Sequence, residues 1–263
     1  MKKDTQDERP DVSEDLTKVG VADLRTLVQT KWRGHTYKFI PRIHLSVDLS
    51  RRRKGAHMSR LVEAITESIE EESWRVYGSL EALERKILER LERKHPFRRG
   101  EITFETELVV ERKTPKTKRR SMETHDVIVT VIRENGRYTK KLSARVVGNT
   151  VCPHSMANTS GKPHIQRAVA ELSVEAGINA KIPLESLIVI CERSFSSPAY
   201  TLLKTPDENE VVRQMHENPK FVEDVAREIL NSAKKNFSGA KIKVRVLSHE
   251  SIHRHNVVAE GEA

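Results

Sequence analysis

Apolar and polar residues alternate with a period of two along several stretches of the chain, which is the pattern of half-buried β-strands. Two such stretches, 19–28 and 35–49, stand near the start, and the residues 32–35 between them indicate a turn. The alternation is clearest at Ile43, Leu45 and Val47. The other stretches predicted to be strands are 102–110, 126–132, 138–147, 165–175, 241–247 and 253–259.

Elsewhere apolar residues recur every three or four positions, which places them on one face of a helix. The first stripe consists of Met58, Leu61, Val62, Ile65 and Ile69, and the second of Leu80, Leu83, Ile87 and Leu91. Ser79 is a predicted N-cap of the second helix, because its hydroxyl can accept a hydrogen bond from a first-turn N–H group. Residues 184–193 and 221–236 are also predicted to be helical.

The order of these elements predicts an α+β fold built on antiparallel sheets. The first half reads strand–strand–helix–helix–strands, and the second half follows a similar order apart from one opening strand. We therefore expect a flexible polar arm over residues 1–15, a first module over 16–150 and a related second module over 151–263.

Charge and composition narrow the functional classes. Lys and Arg number 47 against 38 Asp and Glu, a net charge of +9 that suits a polyanionic partner such as a nucleoside triphosphate or a nucleic acid. No apolar run approaches the roughly 18–20 residues that span a bilayer, and the first residues lack the apolar core of a signal peptide. These features predict a soluble, cytoplasmic protein.

The run 113–120 holds five basic residues in eight and has two interpretations. It could be a nucleic-acid patch, or it could be a solvated hairpin tip between two strands, which we favour. Aromatic residues make up only 5% of the chain, so few surfaces could stack on bases. A basic nucleic-acid-binding protein with a structural metal is therefore the less favoured alternative.

Metal-binding chemistry is suggested by residues that lie outside the regular patterns. Cys152 and His164 flank one such segment, and a second holds Glu250, His253 and His255. If the last segment is a strand, His253 and His255 share a face. Thiolate, imidazole and carboxylate together suit a divalent metal such as zinc or ferrous iron, although a lone cysteine is more often a small buried apolar residue.

Five segments resemble, in the same order, signatures of a GTP cyclohydrolase family unrelated in sequence to the common type I enzyme. This family comprises the bacterial type IB enzyme and its archaeal relative, often called type IV. His154 stands where the bacterial branch typically carries a second cysteine, so the chain is more similar to the archaeal branch. The segments are Asp48-Leu49 with KGAHMSR at 54–60, GNTVCPHS at 148–155, PHIQRA at 163–168, NPKFVED at 218–224 and ESIHRH at 250–255.

The resemblance implies a fold and an assembly. Members have the tunnelling fold, with two tandem modules per chain, each an antiparallel sheet with two inserted helices. They usually assemble as homotetramers with active sites at the subunit interfaces.

The resemblance also implies roles for particular residues. The metal ligands would be Cys152, His164 and Glu208, with Fe(II) favoured over Zn(II) or Mn(II), and Glu208 chosen over Asp207 or Glu210. Catalytic candidates would be His253, His255, Glu250 and His154. Substrate contacts would come from Glu223 to guanine and from Lys54, His57, Arg60 and Arg167 to phosphate. Without the resemblance, Glu208 and Glu223 would be interpreted as solvated acids in the first turns of helices.

The implied reaction begins with GTP. Its imidazole ring is opened at C8 and formate is released. In the archaeal branch the product is 7,8-dihydroneopterin 2′,3′-cyclic phosphate, toward methanopterin. In the bacterial branch the triphosphate is retained, toward folate.

Overall fold

The computed structural model describes residues 4–32, 35–72 and 79–263. The predicted turn at 32–35 includes positions 33 and 34, which lie outside the described residues. The strands are β1 (Leu16–Arg25), β2 (Val28–Trp32), β3 (His35–Phe39), β4 (Arg42–Leu49), β5 (Arg99–Lys113), β6 (Arg120–Glu134), β7 (Arg137–Val151), β8 (Ile165–Gly177), β9 (Ser197–Pro198), β10 (Lys241–Ser248) and β11 (Val257–Glu262). The α-helices are α1 (Met58–Glu72), α2 (Leu80–Lys94), α3 (Pro153–Asn158), α4 (Leu184–Ser194), α5 (Thr205–Glu217) and α6 (Val222–Asn236).

Nine of the strands form one sheet in the order β1-β4-β5-β6-β7-β8-β10-β11, with β9 paired to β7, and β2 and β3 form a separate ribbon. The pairs β1–β4, β4–β5, β8–β10 and β10–β11 are antiparallel. A turn at Asn135-Gly136 joins β6 to β7, and both residues have positive φ angles, +49° and +78°. This conformation matches the twist of a two-residue hairpin.

The predicted tunnelling fold with two tandem sheet-plus-two-helix modules is wrong. The strands of both halves are paired in one sheet, and β5, β6 and β7 each run for 15 residues, longer than the alternating stretches suggested. The second half also contains α3 and α5, which break the expected repeat of two helices per module. Period-two patterns identify strands but carry no information about which strands pair.

The chain divides into two compact units. The first comprises Met1–Thr106, Ile128–Lys141 and Gly177–Asn179, and the second comprises Glu107–Val127, Leu142–Ala176 and Ala180–Ala263. The segment limits predicted from the sequence, after residues 15 and 150, stay a prediction.

In the first unit, α1 and α2 bury their apolar stripes against strands β4 and β5. Ser79 caps α2 as predicted, since its hydroxyl accepts a hydrogen bond from the Ala82 N–H at 3.3 Å. The fully buried residues of this core include Ile43, Leu45, Leu61, Ile65, Ile87, Leu91, Ile102 and Phe104.

In the second unit, α6 packs against β10, β11 and α4. Cys191 of α4 is completely buried, and this burial raises the pKa of its thiol above the ordinary value. It is therefore a core residue, as its position after an apolar run predicts. Within the described residues, no helix has the length and apolarity needed to cross a membrane.

Glu84 is a carboxylic acid in the middle of the first unit's core, with no exposed surface. One oxygen accepts a hydrogen bond from the Phe104 N–H at 3.0 Å, and the other has no hydrogen-bond partner. Burial raises the pKa of Glu84 well above its ordinary value, nearby Glu81 raises it further, and the Phe104 hydrogen bond lowers it in part. The surroundings of Glu84 therefore favour its neutral form.

We predict that Glu84→Gln stabilises the protein at pH 8 and has little effect near pH 4.5. Because the folded-state pKa is raised, wild-type stability falls as pH rises above the unfolded-state value, by about 1.4 kcal/mol for each pH unit up to the folded-state pKa. Glutamine keeps the acceptor for Phe104 and never ionises. The check is the urea unfolding midpoint at pH 4.5 and pH 8, with Glu89→Gln at a partly buried position of the same helix as control. Equal midpoints for Glu84→Gln and wild type at pH 8 would contradict the prediction.

Candidate active site

Two of the predicted metal ligands lie side by side at the base of one loop in the second unit. Cys152 directly follows β7, and His164 directly precedes β8. The Cys152 N–H donates to the His164 carbonyl oxygen at 3.3 Å, and the His164 N–H donates to the Ser155 hydroxyl at 3.2 Å. These two bonds close the loop and fix the backbone of both ligands.

The Cys152 thiol also serves as the N-cap of the short helix α3. Its Sγ accepts a hydrogen bond from the Ser155 N–H at 3.3 Å, and the Ser155 hydroxyl donates to the Cys152 carbonyl oxygen. Ser155 therefore contacts both Cys152 and His164. Ser155 was not among the candidate site residues predicted from the sequence.

The His164 ring is oriented by polar groups on its Nδ1 side. Nδ1 lies 2.8 Å from Oε1 of Gln166 and 3.9 Å from a carboxylate oxygen of Glu250. The Ser248 hydroxyl in turn donates to the other Glu250 oxygen at 2.9 Å. Gln166 was also missed from sequence, although it lies two positions after His164, where side chains of an extended chain share a face.

His253 and His255 complete this cluster. The His253 ring lies 6.5 Å from the His164 ring in an edge-to-face arrangement, and it stacks on His255 with 5.1 Å between ring centroids. Both residues are exposed and precede β11, so the predicted strand over 253–259 is wrong at its start. Their side chains point to the same side because the two rings stack on each other. The alternation of side chains along a strand is not the cause, since neither residue is in a strand.

Residues of the GNTVCPHS segment before Cys152 support its position. Gly148 lies against the Phe195 ring so closely that any Cβ atom there would clash with it. The Asn149 side-chain amide donates to Ser197 at 3.0 Å and thereby holds β9 against β7. These contacts hold the end of β7 in place, and Cys152 directly follows that end.

The helix α5, which sequence patterns did not predict, carries the third predicted ligand. Val211 and Met215 of α5 pack against Val151, the residue before Cys152. Glu208 precedes Val211 by three positions and Met215 by seven, so it lies on the same side of the helix. Its side chain is exposed, and it has no hydrogen bond to another part of the described chain.

The neighbouring acid Asp207 has a structural role. It is fully buried, and its carboxylate accepts hydrogen bonds from the N–H groups of Lys116 and Thr117 at 2.9 and 2.7 Å and from the Thr117 hydroxyl at 2.6 Å. Burial would raise the pKa of Asp207, but these bonds and one from the Lys204 N–H lower it below the ordinary value. The basic run 113–120 is confirmed as a hairpin tip, between β5 and β6, and it is anchored on α5.

The other second-unit candidates lie on the surface. Glu223 is exposed in the first turn of α6, and Arg167 is exposed in β8. His154 is exposed in α3, where the Asn158 side chain donates to its carbonyl oxygen at 2.8 Å. The third alternative ligand, Glu210, is paired with Arg213, which lowers its pKa.

The predicted phosphate ligands Lys54, His57 and Arg60 belong to the first unit. The His57 ring is buried, with Nδ1 3.5 Å from an Asp4 oxygen and Nε2 3.4 Å from an Asp7 oxygen. Arg60 donates to the carbonyl oxygen of Lys94 at 3.3 Å. The Lys54 N–H donates to the Glu8 carbonyl oxygen at 2.7 Å, so residues 4–8 run along this loop.

Asp4, Asp7 and His57 could together hold a metal ion. Within 4–32, 35–72 and 79–263, they are the one group of three or more His, Cys, Asp or Glu residues whose ligand atoms all lie within 4.8 Å of one another. Arg53 lies 3.9 Å from Asp7 and supplies positive charge to the same carboxylate. Residues 1–15 were predicted to be a flexible arm, so this group was not expected from the sequence.

The donors around Cys152 suit a borderline divalent metal. A thiol and an imidazole are fixed at the loop base, and with Nδ1 of His164 engaged, its Nε2 is left to act as a ligand. By helical spacing Glu208 lies on the same side of α5 as Val211 and Met215. Among the described residues, the ligand atoms of Cys152, His164 and Glu208 do not all lie within 4.8 Å of one another. Sulfur, nitrogen and oxygen donors of this kind are compatible with Fe(II), Zn(II) or Mn(II).

Comparisons with known proteins identify relatives over nearly the whole chain. A family model described as type I GTP cyclohydrolase folE2 matches residues 2–259. A protein named GTP cyclohydrolase MptA from Pyrococcus abyssi is 52% identical over 264 residues, covering 99% of each chain. The protein of that name from Thermococcus kodakarensis is 52% identical over 262 residues, covering 98% of each chain.

Among solved structures, the uricase from Arthrobacter globiformis is similar with a TM-score of 0.58 at 7% identity, covering 94% of this chain and 92% of that one. This similarity shows the fold alone. The architecture is uricase-like, and this finding also overturns the predicted pair of tandem tunnelling-fold modules.

We predict that Asp207→Asn lowers the stability of the protein at pH 7 and that the difference shrinks as pH falls below 3.8, the ordinary value for this group. A lowered folded-state pKa contributes stability above the unfolded-state pKa, and that contribution is lost as the carboxylate becomes protonated. Asparagine offers one acceptor oxygen in place of two. Urea unfolding at pH 7 and at pH 3 measures the effect, with Glu217→Gln at the exposed end of α5 as control. A constant difference at both pH values would contradict this role of the charge.

Proposed function

This chain belongs to the GTP cyclohydrolase family described as folE2, and we propose that it opens the imidazole ring of GTP at C8 with a divalent metal held by Cys152, His164 and Glu208. The chain is a GTP cyclohydrolase by its similarity to near-full-length relatives of that name. The metal, the ligand set and the product are the parts proposed here. The name of the relatives supports the archaeal-type branch of the family over the bacterial one.

The observation that carries the metal proposal is the closed base of the loop that holds Cys152 and His164. The hydrogen bond between their backbones keeps the two residues that carry the thiol and the imidazole next to each other without help from a metal. A divalent metal bound there would act as a Lewis acid and would lower the pKa of a bound water molecule. Fe(II) is our first choice, with Zn(II) and Mn(II) as alternatives.

Proton transfer is assigned to the stacked histidines. His253 and His255 are exposed and close to His164, so their imidazole nitrogens can reach a substrate in the same site. One ring can accept the proton from the attacking water and deliver it to the ring nitrogen that leaves C8. Glu250, beside His164, can stabilise the positive charge that such a histidine carries. His253 and His255 could instead be further ligands, and His154 is a more distant candidate on α3.

Substrate recognition is assigned to two sets of residues. Glu223 is exposed, so its carboxylate is available to accept hydrogen bonds from N1–H and the 2-amino group of guanine, a donor pair that adenine lacks. Lys54, His57, Arg60 and Arg167 would contact the triphosphate. A phosphate at His57 would compete with Asp4 and Asp7 for the ring nitrogens.

The proposed products are formate and 7,8-dihydroneopterin 2′,3′-cyclic phosphate, a first step toward methanopterin. Retention of the triphosphate is the alternative. We further propose a homotetramer with active sites at subunit interfaces, located in the cytoplasm. A pairing of chains would also cover the outer edges of β1 and β11, which end the sheet.

We predict that Cys152→Ala loses both bound metal and GTP turnover, because one of the three protein ligands is removed. Wild type incubated anaerobically with Fe(II) and GTP should yield formate and the cyclic phosphate by mass spectrometry, and the variant should leave GTP unchanged. Cys191→Ala, which removes the buried thiol of α4, is the control and should keep its metal. A Cys152→Ala protein that retains metal and activity would remove Cys152 from the site. Triphosphate product from the wild type would move the chemistry to the bacterial-type reaction.

We predict that Glu223→Gln weakens GTP binding by about 10–100-fold, because a neutral amide cannot accept two hydrogen bonds from guanine, and each lost bond of this type costs roughly 1.5–3 kcal/mol. Equilibrium binding of GTP and ATP to the protein is the measurement, and the preference for GTP should decrease. Exposed Glu228→Gln on the same helix is the control. Unchanged GTP affinity would identify Glu223 as an ordinary solvated acid of a helix N-terminus.

A further inference from the structure

The Nδ1 side of the His164 ring faces two acceptor oxygens. Oε1 of Gln166 lies 2.8 Å from Nδ1, and a carboxylate oxygen of Glu250 lies 3.9 Å from it. Both oxygens favour a proton on Nδ1, because a lone pair at that position would face negative charge. The neutral imidazole then carries its lone pair on Nε2.

We propose that Gln166 is a positioning residue that acts through His164, holding the ring in the Nδ1–H tautomer so that Nε2 can bind the metal. This inference rests on the proposed function, which makes His164 a ligand. Metal-bound histidines generally donate their second N–H group to such a partner, which fixes the ring orientation and raises ligand basicity. None of the proposed metal ligands or substrate-binding residues has this role.

The surroundings of Gln166 suit a rigid support. It lies near the start of β8, two positions after His164, in a strand paired with β10. The same pair of strands orients Glu250, because the Ser248 hydroxyl at the end of β10 donates to Glu250 and the His249 N–H donates to the Arg167 carbonyl oxygen at 2.8 Å. Gln166 in β8 and Glu250, two residues after the end of β10, therefore face the same nitrogen.

The test measures affinity for Co(II) alone, without GTP. Cobalt in a site with a cysteine ligand gives a thiolate absorption band, and competition with a chelator yields the dissociation constant. Gln166→Leu removes the acceptor at similar size, and Gln166→Glu keeps an acceptor at the same place. Gln29→Leu, a partly exposed strand glutamine of the other unit, is the matched control. Unfolding of the metal-free proteins verifies that each variant folds.

Gln166→Leu is expected to weaken Co(II) binding by roughly 10–100-fold, with the unfolding midpoint of the metal-free protein unchanged, and Gln166→Glu is expected to restore most of the affinity. Equal affinity for Gln166→Leu and wild type would overturn the positioning role while leaving the metal site intact. Failure of Gln166→Glu to restore binding would also overturn it, since the acceptor would then not be the cause. If the Cys152→Ala variant binds Co(II) as tightly as the wild type does, both the metal site and this inference would be overturned. The wild type and the two Gln166 variants could show the expected order of Co(II) affinities while the wild type fails to convert GTP. That result would support the positioning role and contradict only the proposed reaction.

Discussion

The backbone hydrogen bond between Cys152 and His164 is the constraint on which the candidate site depends. It joins the end of β7 to the start of β8, so the sheet itself sets the position of both donors. Every other member of the cluster is placed relative to this pair: Ser155 bonds to both, Gln166 and Glu250 face the His164 ring, and the stacked histidines lie beside it. The chemistry proposed for this enzyme therefore follows from strand pairing before any ligand is considered.

Two buried carboxyl groups show how local donors decide the state of an acid. Glu84 receives a single N–H group in an apolar core, which favours its neutral form. Asp207 receives three N–H groups and a hydroxyl and is held charged. Burial acts in the same direction on both, so the number of donors makes the difference. At Asp207 the retained charge links the hairpin tip to α5, the helix that carries Glu208.

Local elements were predictable from the sequence, and long-range pairing was not. The stripes of α1 and α2, the Ser79 cap and the Asn135-Gly136 turn depend on neighbouring residues, and all are present. The single sheet depends on which strands pair, and α5 was missed because its polar first turn hides a stripe of only Val211 and Met215. Sequence motifs indicated Cys152 and His164 as candidate ligands. Their hydrogen-bond partners Ser155 and Gln166 could be identified only from the fold, because residue type alone does not determine which side chains come within hydrogen-bond distance.

The loop between Cys152 and His164 is closed at its base, which affects how freely its sequence can diverge during evolution. Its far end, where Ser160 and Gly161 take positive φ angles, bears none of the donor atoms. The tip can therefore change its conformation without breaking the backbone bond between Cys152 and His164. Insertions or deletions there would alter the surface near the site while leaving that backbone bond in place, so homologous enzymes could diversify at the tip without rebuilding the site.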